Sequence, residues 1–304
     1  MKSFLYPRAL VLGLALVLAA PLHSFAAETV QTQLDGRTLN ASLARTDAWP
    51  SGPVALLVHG TLAHAEMEIM ASLRDMLQER GVSALSINLS LGIDDRPATM
   101  YDCPTAHRHT HTEAVDEVGA WMDWLRAQGA GPVLLLGHSR GGNQAARYAV
   151  AHGSPESLRA VVLVAPATWD EGRTADSYNR RFNQPLEPLL SRARSLVEAG
   201  KGDELLGPIG FMYCEDTSAS ARAIVSYYGE DPDMDTPRLL SRIAVPVLVI
   251  AGGADDTIVG LVEKTEPQVD GDRIALSVID GADHFFRDLY AEEVADLAAG
   301  LAGD

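Results

Sequence analysis

Six short apolar runs, separated by amphipathic stretches, constrain this chain more than any other feature. VALLVHG, VSALSINLS, PVLLLGH, RAVVLVAPA and VPVLVIAGG are nearly continuous in Val, Ile, Leu and Ala, and RIALSVIDG is a more polar sixth. Runs so short and unbroken read as strands buried on both faces. The intervening segments 66–80, 111–128, 140–152 and 287–302 carry apolar residues at helical spacing. This alternation predicts an α/β fold, a mostly parallel sheet with helices on both faces. Ahead of it, residues 29–46 alternate around Asp35-Gly36, a pair that favours a hairpin turn.

One interval breaks the pattern. Between Pro166 and Pro246 no core strand is evident, and the helical stretches EPLLSRARSLVEAG and SASARAIVSYYG stand out. A structureless loop of that length does not suit a compact domain. A helical cap insertion over about 168–242 is expected, covering the carboxyl ends of the strands where open α/β sheets bind ligands.

The N-terminus has a different character. Lys2 and Arg8 flank and precede the run ALVLGLALVLAAPL, and Ser24-Phe25-Ala26 offers small residues for a signal peptidase. Residues 1–26 read as a cleaved signal peptide and 27–304 as the domain, which implies a periplasmic or secreted protein. The run is shorter than the roughly 20 residues a bilayer span needs, so no stable membrane anchor is expected after cleavage. With 47% hydrophobic and 21% charged residues the chain can build a substantial core. A formal charge of −17 makes a poor surface for nucleic acid, and none is expected as a partner.

The chemistry starts at GHSRGG, residues 137–142, between the strand-like PVLLL and the helix-like NQAARYAV. A G-x-S-x-G turn from strand to helix is strained. It holds the serine oxygen out above the sheet, and the glycines leave room for the backbone. Ser139 is therefore the candidate nucleophile. A serine needs a base, and the base an orienting acid. Downstream, VPVLVIAGGADDTIV ends a strand with Asp255 and Asp256, and VIDGADHFF ends the next with His284.

From His59-Gly60 to the C-terminal helix, the chain resembles the α/β-hydrolase superfamily, with an early HG, a nucleophile elbow, a cap, a GxxD loop and a GxxH loop. The resemblance implies an α/β-hydrolase fold and a Ser-Asp-His triad. Its spacing, applied to Gly253, Asp256 and Val259, makes Asp256 the acid, with Asp255 one position early as the alternative. His284 follows Gly281 by three and becomes the base. The oxyanion donors implied are the backbone N–H groups of Arg140 and Thr61, or Leu62 if the loop bends one residue later. The implied activity is hydrolysis of a small-molecule carboxylic ester or thioester through an acyl-enzyme, with no cofactor. An acyltransferase using the same triad, and a non-catalytic ligand-binding homologue, are the alternatives.

The other histidines are expected to be structural. His107, His109 and His111 form HRHTH, and alternate residues of an extended segment could face one metal ion. Against this, the segment opens a predicted helix, and Thr110 with Glu113 fits a capping box, so no metal is expected. His59 should turn its ring away from the chemistry, and Asp283 should serve as a loop hydrogen-bonder. Cys103 and Cys214 are the only cysteines, without CxxC spacing. In an exported chain they are expected to pair and tether the cap, with two separate thiols as the alternative.

Overall fold

The computed structural model describes residues 27–303. The expected signal peptide, residues 1–26, lies outside them. The chain opens with an antiparallel hairpin, β1 (Glu28–Leu34) and β2 (Arg37–Ala44), turned at Asp35 and Gly36, both at positive φ. Then come β3 (Val54–Val58), α1 (Glu68–Glu79), β4 (Ser83–Asn88), α2 (Glu113–Gln128), β5 (Val133–His138), α3 (Arg140–His152) and β6 (Leu158–Val164). Residues 165–246 form the insertion, with α4 (Glu171–Phe182), α5 (Leu186–Glu198), β7 (Leu205–Phe211), β8 (Cys214–Ser220) and α6 (Ala221–Tyr228). The chain closes with β9 (Val247–Gly252), α7 (Leu261–Thr265), β10 (Ile274–Ile279) and α8 (Leu289–Gly303).

The main sheet has the order β1-β2-β4-β3-β5-β6-β9-β10, and every pairing from β4 to β10 is parallel. Its two faces bury separate cores, one under α1 and α8, the other under α2 and α3. Leu56, Leu57, Leu134, Leu135 and Leu136 have no exposed surface. Burying each stabilises the fold by about 2 kcal/mol. β4 and β5 lie on opposite sides of β3, so the winding direction reverses there. Such a reversal opens a crevice at the carboxyl ends of the strands, here those of β3 and β5.

The insertion is not purely helical. β7 and β8 form an antiparallel ribbon inside it, alongside the three helices α4, α5 and α6, which adds strands to the helical cap expected. Gly207, Pro208 and Gly210 interrupt β7 and shift its register, so the sequence carries no clean alternation there. A disulfide joins Cys103, in the loop after β4, to Cys214 on β8, with Cα atoms 5.4 Å apart. Alongside it, His107 N–H donates to the Ser218 carbonyl (2.8 Å) and Ser220 N–H to the His107 carbonyl (2.9 Å). Thr217 Oγ1 donates to the Cys103 carbonyl (2.6 Å). The cap is thus fastened by one covalent bond and a short stretch of strand-like pairing.

The capping box expected at Thr110 does not form. α2 begins at Glu113 with Thr112 as its N-cap, and no side chain caps it. Upstream of it, His107 pairs with β8 as an isolated bridge.

Candidate functional site

Ser139 sits between β5 and α3 at φ 56° and ψ −122°, a conformation that costs a non-glycine residue strain. Two glycines permit it. A Cβ on Gly141 would strike the carbonyl oxygens of Val58 and His59, and one on Gly137 would lie 2.7 Å from the Gly142 Cα. The turn can therefore press against the end of β3. α3 starts at the next residue, so its free N–H groups face the Ser139 hydroxyl region.

The loop after β10 brings His284 to this serine. Its Nε2 lies 3.0 Å from Ser139 Oγ, and both residues are buried. On its other side, Nδ1 lies 2.9 Å from Asp255 Oδ2. This corrects the sequence reading, which paired His284 with Asp256. Asp256 is exposed, and its carboxylate meets only the Thr257 hydroxyl, at 3.5 Å. The second oxygen of Asp255 accepts from the Thr257 and Ile258 amides (2.8 and 3.1 Å), so the carboxylate is fixed by its own loop. Burial pushes the Asp255 carboxyl up. The hydrogen bond and charge of His284, with the Ile258 and Thr257 amides, outweigh burial and hold it below the ordinary aspartate value. The two loops are tied directly, Gly253 N–H to Ile279 O (2.8 Å) and Ala254 N–H to Ala282 O (2.9 Å).

Around this relay the histidines are neutral struts. His138 Nε2–H donates to the His284 carbonyl (2.9 Å), which positions the backbone that carries the base. Burial and the neighbouring His284 lower its pKa to about 4. His59 donates from Nδ1 to Gly60 O and accepts from Leu89 N–H at Nε2, so its ring is committed to the loop. Asp283 accepts from Phe285 N–H (2.9 Å), a loop role.

The three histidines of HRHTH are buried. His107 Nδ1 meets His109 Nε2 (3.2 Å), His109 Nδ1 meets the Tyr227 hydroxyl (2.8 Å), and His111 Nε2 meets Asn143 Oδ1 (2.8 Å). His111 thus turns to α3 and away from the other two rings. Among the described residues no three His, Cys, Asp or Glu side chains are arranged to hold a metal ion.

Beside the relay lies a cleft of about 490 Å³ between cap and sheet. It is lined by Thr61 and Arg140, by Asp256, Thr257 and Val259, and by residues of the insertion between Ala167 and Met234. Ser139 and His284 do not line it themselves. It begins at the residues next to them. Arg140 Nε donates to Thr61 Oγ1 (3.0 Å), which ties the two loops expected to supply oxyanion donors. Neither the Thr61 nor the Leu62 N–H donates to a backbone carbonyl among the described residues, and Leu62 takes φ 54°. The cap arginines and Tyr227 of this cleft were not legible as site residues, because only the folded cap brings them to the strand ends.

A family model for the alpha/beta hydrolase family matches residues 55–297. Among solved structures, Est1E from Butyrivibrio proteoclasticus with bound ferulic acid is 17% identical, with a TM-score of 0.63 over 89% of this chain and 96% of that one. The alpha/beta hydrolase GrgF from Penicillium sp. sh18 is 14% identical, with a TM-score of 0.62 over 91% and 99%. A monoacylglycerol lipase from Paleococcus ferrophilus is 18% identical, with a TM-score of 0.56 over 86% and 99%. At such identities the likeness is one of fold. No curated protein matches the sequence significantly. The family match covers the parallel part of the sheet, from β3 to β10, and the segments that carry Ser139, Asp255 and His284, and the chain belongs to the alpha/beta hydrolase family of enzymes.

Proposed function

We propose that the protein is an exported serine hydrolase that cleaves a carboxylic ester or thioester through an acyl-enzyme. The observation that carries this reading is the unbroken contact from Ser139 Oγ through the His284 ring to Asp255, at 3.0 and 2.9 Å, on a strained strand-to-helix turn. Ser139 Oγ attacks the carbonyl carbon while His284 Nε2 takes its proton, and Asp255 holds Nδ1–H and balances the imidazolium. The amides of Arg140 and Thr61 stabilise the oxygen that becomes negative. His284 then gives its proton to the departing alcohol or thiol. Water, deprotonated by His284, attacks the acyl group and releases the acid and free Ser139. The lipase among the structural neighbours is consistent with ester chemistry. Export is supported by the leader-like residues 1–26 and by the disulfide, which suits an oxidising compartment.

Fluorophosphonate labelling tests the reading, because only an activated serine reacts. Labelling of the wild type at Ser139, with turnover on a panel of ester and thioester chain lengths, is the expected result. A folded protein that is neither labelled nor active would refute it. Adding an alcohol acceptor separates hydrolysis from acyl transfer by the product formed.

A further inference from the structure

The cleft has a charge opposite to that of the chain. Against a net charge of −17, its walls hold Arg140, Arg173, Arg180 and Arg181, with only Asp170 and Asp256 as acids. Outside the cleft, Arg45, Arg126, Arg222 and Arg242 each pair with a carboxylate, whereas among the described residues the exposed Arg108, Arg159, Arg192 and Arg238 pair with none. Among the described residues, none of the four cleft arginines lies within ion-pair distance of one.

Three of these are engaged otherwise. Arg173 Nη1 donates to the Val259 carbonyl (3.0 Å), Arg180 Nη2 to Ser177 Oγ (2.9 Å), and Arg181 stacks over Tyr213 at 5.0 Å. Arg140 differs. Its Nε is bonded to Thr61, its guanidinium lies 5.1 Å from the centre of the Tyr227 ring, and that tyrosine is pinned by His109. Its Nη1 is shielded from solvent yet has no acceptor. One edge and one face of this guanidinium are fixed, and the residue directly follows the candidate nucleophile. Nη2 makes no hydrogen bond among the described residues and is not shut off from solvent, so its two N–H groups remain as donors for the oxygen of a carboxylate.

We infer that the cleft selects esters or thioesters whose acyl part carries a free carboxylate, and that the Arg140 guanidinium receives this carboxylate. The inference rests on the serine-hydrolase reading above. The neighbouring cap arginines raise the local potential that draws the anion in, an effect that salt weakens.

The test compares two substrates of nearly equal shape and different charge, monoethyl glutarate and ethyl 4-carbamoylbutanoate, by release of ethanol. For the wild type at low salt, kcat/KM for the anion should exceed that for the amide by about tenfold or more, as expected for a hydrogen-bonded charge pair. The ratio should shrink at high salt. Arg140→Gln should bring it to about one, with fluorophosphonate labelling of the variant showing that its fold and serine survive. Thr61→Val removes the hydroxyl that holds Arg140 Nε, so it should lower the ratio part of the way toward one, less than Arg140→Gln does.

A wild-type ratio of one or less, with the serine labelled and the amide hydrolysed, would overturn the charge selectivity and leave the hydrolase reading standing. A ratio untouched by Arg140→Gln would overturn the role of Arg140. Preference for 3-acetoxypropanoate over its amide, without preference for monoethyl glutarate, would move the charge to the alcohol side and refute the acyl assignment. Absence of both labelling and hydrolysis would refute both readings.

Discussion

α3 and α4 are nearly equal in length, 13 and 12 residues, and could hardly be packed more differently. α3 buries Gly141, Gly142, Asn143, Gln144, Ala145, Ala146, Tyr148 and Ala149, while α4 buries only Tyr178. The first helix stands behind the serine, and the second walls the cleft. A reacting atom must be held within a fraction of an ångström, and dense packing does that. A wall that chooses substrates needs only to be anchored. Here the anchors are the apolar residues the cap shares with the core on the α2 and α3 face, the disulfide and the pairing at His107. Chemistry and selectivity should therefore respond separately to perturbation.

The sharpest division comes from Ser139→Ala. The side chain forms one hydrogen bond, to His284, and sits on a turn held by its backbone. Turnover should fall by about 10⁴- to 10⁶-fold, leaving what the oxyanion donors supply. Thermal stability should be unchanged or slightly higher. Near wild-type turnover in a folded variant would remove Ser139 from the chemistry.

Next in size is the pair of aspartates. Asp255→Asn should cut kcat by up to about 10⁴-fold, because an amide favours the wrong tautomer of the base, whereas Asp256→Asn should change kcat by less than about threefold. The opposite ranking would mean that the loop is shifted by one residue in solution.

This pair shows where the sequence stops being legible. The strands, α1, α3 and α8, the serine turn and the base could be read because apolar periodicity and turn chemistry are local. The acid could not be fixed because GGADDTIV satisfies the spacing twice. Gly253, Asp256 and Val259 fit, and Gly252, Asp255 and Ile258 fit equally. What decides is the bond network between two loops about 30 residues apart in sequence, which spacing does not encode. The cap ribbon was illegible for a related reason. β7 is a strand because β8 pairs with it, in spite of Gly207, Pro208 and Gly210. The cleft arginines were invisible for the same cause, since nothing local marks them as neighbours of Ser139.

Acid should affect scaffold and seam together, and a double variant can tell them apart. Burial lowers His59 and His109 to about 3, and His107 and His138 to about 4, from an ordinary 6.5. Between pH 6.5 and about 4 the unfolded chain therefore binds protons that the folded chain does not. Stability is full above pH 6.5 and falls as the pH drops, by several kcal/mol near pH 5 if these rings act independently. The Asp255 carboxyl, held below its ordinary value, adds its own loss only at pH values under about 4. Melting temperature followed from pH 7.5 to 4.5 should decline steadily. In a His107→Gln, His109→Gln double variant the decline should be shallower, the remainder belonging to His59, His64, His111 and His138. A melting temperature flat down to pH 4.5 would contradict the burial of these rings.

The smallest effect on catalysis should come from the disulfide, although its effect on stability is large. Cys103 and Cys214 are 111 residues apart, and closing a loop of that length removes enough unfolded-chain entropy to stabilise by roughly 4 to 5 kcal/mol. Replacing both with serine should lower the melting temperature accordingly. The folded cap nevertheless keeps the backbone pairing of His107 with Ser218 and Ser220, and the Thr217 bond to the residue 103 carbonyl. KM should rise only a few-fold, as α4 and the ribbon loosen around the cleft, and kcat should stay within about twofold, because the disulfide touches none of the loops that align Ser139, His284 and Asp255. Steady-state kinetics well below the lowered melting temperature separates the two constants. A kcat loss of tenfold or more under those conditions would show that the cap also aligns the reacting groups, and that packing behind α3 is insufficient to hold them.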